Sequence, residues 1–232
     1  CSGLLNIYIP QSVTYIGEAA FNGSGVKNVY FAGDIDDWLN IKLSSSSSNP
    51  CTSGANLYLN NVLLENLVVP DDIIKLNDFS FCGVSSLINI TLNDSIKEIP
   101  NYCFYNCSSL KSISMASVRS IGACAFYQCG SLTAIDIPEG VTTIRDATFY
   151  CCYNLASVTI PNTVTSIGVE AFSGCSSLTS LVIPDSVTEI GQFAFSECRY
   201  LQTVTISKSI TEIMSYTFRS CVNLTSVVIP PR

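Results

Sequence analysis

The sequence predicts a β-rich solenoid: short β-strands wound into stacked coils, each coil carrying a single helical or 3-10 turn. Three observations predict it. Phenylalanine recurs at Phe81, Phe104, Phe126, Phe149, Phe172, Phe195 and Phe218, at steps of 22 or 23 residues, with Phe21 earlier in the same setting. An anchor of the form L-x-x-[IVL]-x-[IVLMF] starts at Leu4, Val26, Leu64, Leu87, Leu110, Leu132, Leu155, Leu178, Leu201 and Leu224. An Ile or Leu stands five residues before every one of these phenylalanines, from Ile16 to Ile213. A fixed period in the low twenties marks units too small to bury their own apolar side, which must stack to do so.

One unit shows how each element arises. Leu178, Leu181 and Ile183 lie at strand spacing, alternate residues inward, and Pro184 ends the strand because it has no N–H for the next ladder bond. Val187 to Ile190 reads as a second short extended piece, and Gly191 suits the turn after it. "QFAFSEC" (192–198) has the spacing of one helical or 3-10 turn, whose Phe fills the wedge between strand layers. Repetition then stacks Phe on Phe, Ile on Ile and Leu on Leu about 4.8 Å apart.

Composition narrows the function classes. The chain has 232 residues, 47% hydrophobic and only 12% charged, so its solvent face must be built mainly from Ser, Thr and Asn. A net charge of −7 argues against nucleic acid and against an anionic membrane surface. No apolar run of about 18 residues exists to span a bilayer. Histidine is absent, which removes Ser-His-Asp and Cys-His nucleophile systems and most zinc enzyme sites. Neither a glycine-rich phosphate loop nor a paired-carboxylate site is visible, so no catalytic residues, cofactor or metal are assigned.

One interval is abnormal. Between Val26 and Leu64 the anchor step is 38 residues, and segment 32–63 departs from the repeat. Asp34 is placed to cap a short helix, with Asp37 three residues later. Calcium is the other reading of Asp34, Asp36 and Asp37, but the spacing and glycine of a calcium loop are missing. Trp38, the lone tryptophan, reads as a plug over the solenoid or as a ligand platform, the plug being preferred. "SSSSSNP" (44–50) reads as a flexible loop, and 56–70 as a hairpin about Asn60-Asn61.

The pattern C-x-x-L-x-x-[IV]-x-I-P-x-x-[VI]-x-x-I-G-x-x-A-F-x-x-C, carried by residues 1–31 and 64–232, resembles the BspA-like (Treponema-type) leucine-rich repeats. The insertion resembles one often found between such repeats. The resemblance implies a right-handed leucine-rich-repeat superhelix forming a single domain over 1–232. It also implies an extracellular or cell-surface setting, in bacteria or some protozoan parasites, and no catalytic residues to carry over. A start inside one repeat and a stop after the strand of another, with no cap at either end, predict a fragment of a longer chain.

Six of the 12 cysteines share the slot three after Phe: Cys107, Cys129, Cys152, Cys175, Cys198 and Cys221; Cys1 fits it too. The slot is inward and small, so free buried thiols are expected ahead of disulfides or metal. Cys103, Cys124 and Cys151 lie off the column, and Cys51, in the insertion, is expected at the surface. Cys1 also admits a reading as a lipidated terminus, which its repeat position makes unnecessary. N-x-[ST] triplets at Asn22, Asn89, Asn93, Asn106 and Asn223 arise readily in a Ser/Thr/Asn-rich repeat.

Two columns are candidate binding residues. On the longer strand the outward residue between the two last inward anchors reads Tyr8, Tyr30, Val68, Thr91, Ser114, Asp136, Thr159, Val182, Thr205 and Val228, expected along a concave sheet face. Its β-branched character is also simply good strand propensity. Tyr105, Tyr127 and Tyr150 follow the Phe on three successive units, with Tyr102, Tyr153, Tyr200 and Tyr216 near. They read either as an interface patch or as a ladder stacked on itself. The expected function is a surface or secreted adhesion module for a protein, matrix or glycoprotein partner. The alternative is a passive spacer that presents another domain.

Overall fold

The structure, a computed structural model, describes residues 3–228. It is the expected solenoid. The longer strands pair in parallel and in register: Asn6–Ile9 with Asn28–Phe31, Asn66–Val68 with Asn89–Thr91 and then Ser112–Ser114. Ala134–Asp136 pairs with Ser157–Thr159, and Ser180–Val182 with Thr203–Thr205 and then Ser226–Val228. A second face is built from two-residue strands, including Thr143–Ile144, Ser166–Ile167 and Glu189–Ile190, again parallel. Parallel ladders join successive coils because each coil turns in the same direction and returns its strand beside the one before.

The core lies between these faces. Phe81, Phe104, Phe126, Phe149, Phe172, Phe195 and Phe218 form one stack, with ring centroids 5.3–5.7 Å apart and planes within 16°. Six of these rings are fully buried and Phe218 is half-buried. Phe21, expected in the same column, is also half-buried, with the insertion standing between it and Phe81. Gly191 marks a close approach of neighbouring coils. A Cβ there would sit 2.6 Å from the carbonyl carbon of Gly168.

The turn around each Phe differs from a single helical turn. Residues two before it (Tyr102, Cys124, Ala147, Glu170, Phe193) and two after it (Asn106, Gln128, Cys151, Glu197) have φ between 51° and 59°. A left-handed residue costs roughly 1–2 kcal/mol. What offsets it is hydrogen bonding between coils. Tyr102, Phe104 and Asn106 donate their N–H to the carbonyls of Ala123, Ala125 and Tyr127 at 3.0, 2.9 and 2.6 Å. Bonds of the i→i−3 kind persist between them, as from Tyr105 to Tyr102. The alternation turns half of the turn's donors toward the next coil, so this third face is also a ladder.

The insertion breaks the repeat in sequence but not the stacking. Lys42–Leu43 pairs in parallel with Tyr15–Ile16, and Asn56–Leu59 pairs in register with Asn28–Phe31. The hairpin follows as expected: Val62–Leu63 returns antiparallel to Asn56–Leu59 through Asn60 and Asn61, at φ 47° and 64°. Asp34 caps helix Ile35–Leu39 in a capping box with Asp37. Trp38 is 3% exposed, meets Phe31 edge-on at 5.5 Å and donates Nε1–H to the Ser80 carbonyl at 2.8 Å. It is a plug.

Two expectations about the insertion are corrected. The serine run is not an open loop. Ser46–Ser48 forms a 3-10 turn, Ser48 and Asn49 are buried, and Asn49 Nδ2 donates to the Phe79 carbonyl at 2.8 Å. Cys51 is fully buried rather than at the surface, because its backbone lies directly against Gly83 of the following coil. Composition reads polarity along the chain and cannot see that the next coil covers it.

Candidate binding faces

The longer-strand row falls where strand periodicity places it. Tyr8 pairs with Tyr30, Thr91 with Val68 and Ser114, Asp136 with Thr159, and Thr205 with Val182 and Val228. Thr91, Ser114, Asp136 and Thr159 are exposed, while Tyr30 and Thr205 are half-buried between neighbours in the row. Large apolar side chains stand out of this face: Tyr8 is 74% exposed, Val68 70% and Val182 68%. Part of the row's polarity is satisfied within it, since Thr159 Oγ1 donates to Asp136 at 2.7 Å. Two residues earlier runs an amide row, with Asn28 donating to Asn6 at 2.9 Å, Asn56 to Asn28 at 3.1 Å, and Asn89 to Asn66 at 2.8 Å.

Sequence reasoning missed Tyr58. It stacks on Tyr30 at 4.5 Å, as Tyr30 stacks on Tyr8 at 4.8 Å, so three tyrosines continue one row. The signal was present in the matching "NVYF" (28–31) and "NLYL" (56–59), but the irregular interval hid the register.

The second candidate column is a stacked ladder. Tyr105, Tyr127 and Tyr150 lie 4.7 and 4.6 Å apart with planes within 10°, each half-buried. Burial, with the neighbouring phenols of Tyr105 and Tyr150, pushes the Tyr127 hydroxyl up to about 12. Tyr102 joins the ladder at a tilt, 5.8 Å from Tyr105, while Tyr216 stacks on Phe193 instead. Cys151 lies beside this ladder, and its hydrogen bond with Tyr153, more than burial, pushes the Tyr153 hydroxyl up to about 12.

A third feature had no sequence signal. An open groove of about 830 Å³ crosses the short strands, between Thr143, Ser166 and Glu189, with Arg145, Asp146 and Glu212 on its rim. Its shape depends on the stacking of five successive coils, from Ala123 to Met214, which no single coil reveals.

The cysteine column has a polar role besides filling space. Each thiol lies within hydrogen-bond reach of the phenylalanine carbonyl one coil back: Cys107 Sγ of Phe81, Cys129 Sγ of Phe104, Cys175 Sγ of Phe149, at 3.1–3.2 Å. Burial raises these thiols well above their ordinary range. All cysteines among the described residues are free, and no cluster of potential metal ligands occurs among those residues. Cys1 lies outside them. No helix among them is long and apolar enough to cross a membrane.

The chain matches the family model described as the BspA type leucine rich repeat region, in six copies over residues 1–48, 52–164 and 142–232. No curated protein matches it. Among solved structures, a leucine rich repeat protein of T. pallidum is 26% identical, with 72% of this chain and 71% of that one covered and a TM-score of 0.51. One from Eubacterium ventriosum is 22% identical, covering 96% of this chain and 60% of that one, with a TM-score of 0.66. The pneumococcal vaccine antigen PcpA is 17% identical, covering 96% and 67%, with a TM-score of 0.61. These last two are likenesses of fold.

Proposed function

Since the chain belongs to the BspA type leucine rich repeat family, we propose that it is a cell-surface or secreted adhesion module that holds a protein or matrix partner on the outward face of its longer strands. Leucine-rich repeat domains generally bind proteins, and the family is typically one of interaction modules rather than enzymes. The observation that carries the reading is the outward row of the longer strands, in which exposed Tyr8, Val68 and Val182 are set among exposed Thr91, Ser114 and Thr159. The face carries little charge, Asp136 being the charged member of the row, so recognition rests on shape and hydroxyl chemistry. The fold it shares with a pneumococcal antigen suits such a setting.

A panel of immobilised matrix proteins and mucins tests it. Saturable capture lost in Thr91→Lys and Thr159→Lys, with folding intact, supports the face. Capture unchanged by both substitutions removes it.

A spacer is the second reading, favoured by the hydroxyl and amide rows that satisfy one another, such as Ser112 with Asn89 at 2.8 Å. Deleting one repeat, residues 155–177, shortens a spacer and leaves any capture unaltered.

A further inference from the structure

Three exposed regions stand outside the core: the groove across the short strands, the half-buried tyrosine ladder beside Cys151, and a cleft at the end of the Tyr8–Tyr30–Tyr58 row. The cleft carries the most. It is an open cleft of about 300 Å³ lined by Tyr8, Pro10, Tyr30, Ala32 and the Asn60-Asn61 turn. Its floor is Ile9 and Phe31, both buried.

The lining is aromatic, prolyl and amide, and it contains no charged side chain. That matters in a chain of net charge −7. An acidic segment is repelled by the chain as a whole, and a basic one finds no counter-charge in the cleft. The complementary occupant is uncharged. The turn residues Asn60 and Asn61 are exposed, their backbone is left-handed, and both line the cleft. The tyrosine edges and hydroxyls lie alongside, Tyr8 being 74% exposed.

The spacing narrows the occupant further. Two steps of the ladder, 4.8 and 4.5 Å, carry the aromatic row about 9 Å. A polyproline II turn also advances about 9 Å, three residues at about 3.1 Å each. An extended proline-rich segment laid along the solenoid axis therefore meets equivalent ring edges once per turn. Its carbonyls, which have no internal hydrogen bonds, face outward to the amides and phenols. Aromatic slots with polar donors beside them are how such segments are held elsewhere.

We infer that the cleft bounded by Tyr8, Tyr30 and Asn60-Asn61, continued by Tyr58, binds an uncharged proline-rich segment of a partner protein in polyproline II form. The inference rests on the reading that the longer-strand face binds proteins, and names one site on it and the chemistry that site takes.

The test is titration of the whole 232-residue chain with an oligoproline of about ten residues, against a Gly/Ser peptide of equal length, by calorimetry. Saturable oligoproline binding is expected, with none for the Gly/Ser peptide. Tyr8→Ala is expected to weaken it about tenfold or more. Asn61→Gly keeps the left-handed turn while removing one amide, and Tyr30→Phe keeps the stack while removing one hydroxyl. Each is expected to weaken binding several-fold in a folded chain. Absence of saturable binding, binding indifferent to Tyr8→Ala and Asn61→Gly, or saturation by a neutral oligosaccharide in place of oligoproline overturns the inference. If oligoproline fails while matrix-protein capture still depends on Thr91 and Thr159, the cleft alone is refuted. If that capture never occurs and oligoproline binds, the wider adhesive reading is refuted.

Discussion

The thiol of Cys152 lies 3.1 Å from the carbonyl oxygen of Phe126, one coil back and 26 residues earlier, and donates to it. The same relationship recurs from Cys107 to Cys221. A cysteine fits there because the slot is fully buried, and the carbonyl it meets, which also accepts the Cys129 N–H at 3.1 Å, has a second lone pair to offer. A weak donor on a small hydrophobic atom answers both demands.

Cys175→Ala is accordingly expected to destabilise the chain by about 1–2 kcal/mol, the sum of a small cavity and a lost hydrogen bond. Cys175→Ser keeps a donor and is expected to cost less. Denaturant melts decide it, and a serine variant weaker than the alanine variant would show that the column is maintained by volume alone.

The buried thiols also set a pH dependence. Their folded pKa values are raised by burial, so the folded state holds these protons more tightly than the unfolded chain does. Stability from this source is complete below the unfolded thiol pKa, near about 8.5, and is lost as pH rises above it toward the folded values. The slope is about 1.4 kcal/mol per pH unit for each such thiol. Melts under reducing conditions at neutral pH and at about pH 10 are expected to differ sharply, with the alkaline sample weaker. Equal midpoints would mean that the thiols are solvated.

Phe172 sits between Phe149 at 5.3 Å and Phe195 at 5.6 Å and is fully buried. Phe172→Ala removes one plate of the stack and is expected to cost roughly 3–5 kcal/mol, because flanking coils held by ladders on three faces cannot close the gap. A loss under about 1 kcal/mol, read from chemical denaturation, would mean the ring column is not core.

Gly83 tests the insertion. It has φ +75°, and a Cβ on it would land on the carbonyl oxygen of Cys51. Gly83→Ala is expected to cost about 3 kcal/mol or more, from left-handed strain together with backbone overlap. Gly23→Ala, at φ +67° with open space around it, pays the strain alone and is expected to cost about 1 kcal/mol. Similar losses in the two variants would show that the insertion does not dock on the next coil.

The sites were legible in uneven measure. Thr91, Asp136, Thr159 and Val182 were placed on the longer-strand face from alternation, because a strand's period of two leaves no choice of face once its neighbours are buried. The stacking of Tyr105, Tyr127 and Tyr150 was one of two readings the sequence left open, and identical positions on successive coils bring the rings into contact. Tyr58 was lost because its coil has an irregular length: 56–70 was read as a hairpin, but no count from the anchors set that strand in register with Tyr30. The bonds from the cysteine column to phenylalanine carbonyls carry no sequence signal beyond the period, since their partners lie a whole coil away.

By itself, the sequence determined the solenoid, its period, the phenylalanine, isoleucine and leucine columns, the capped helix at Asp34 and the hairpin at Asn60-Asn61. These follow from short-range periodicity, turn chemistry and identical coils that can bury their apolar sides only on one another. The tertiary structure alone decided that the insertion continues the ladders, that Cys51 and the serine run are covered, that turn donors pair between coils through left-handed residues, and that Tyr58 completes an aromatic row beside a neutral cleft. Each of those depends on which coil lies next to an irregular one, and that is set by the sum of contacts across the stack rather than by any local pattern.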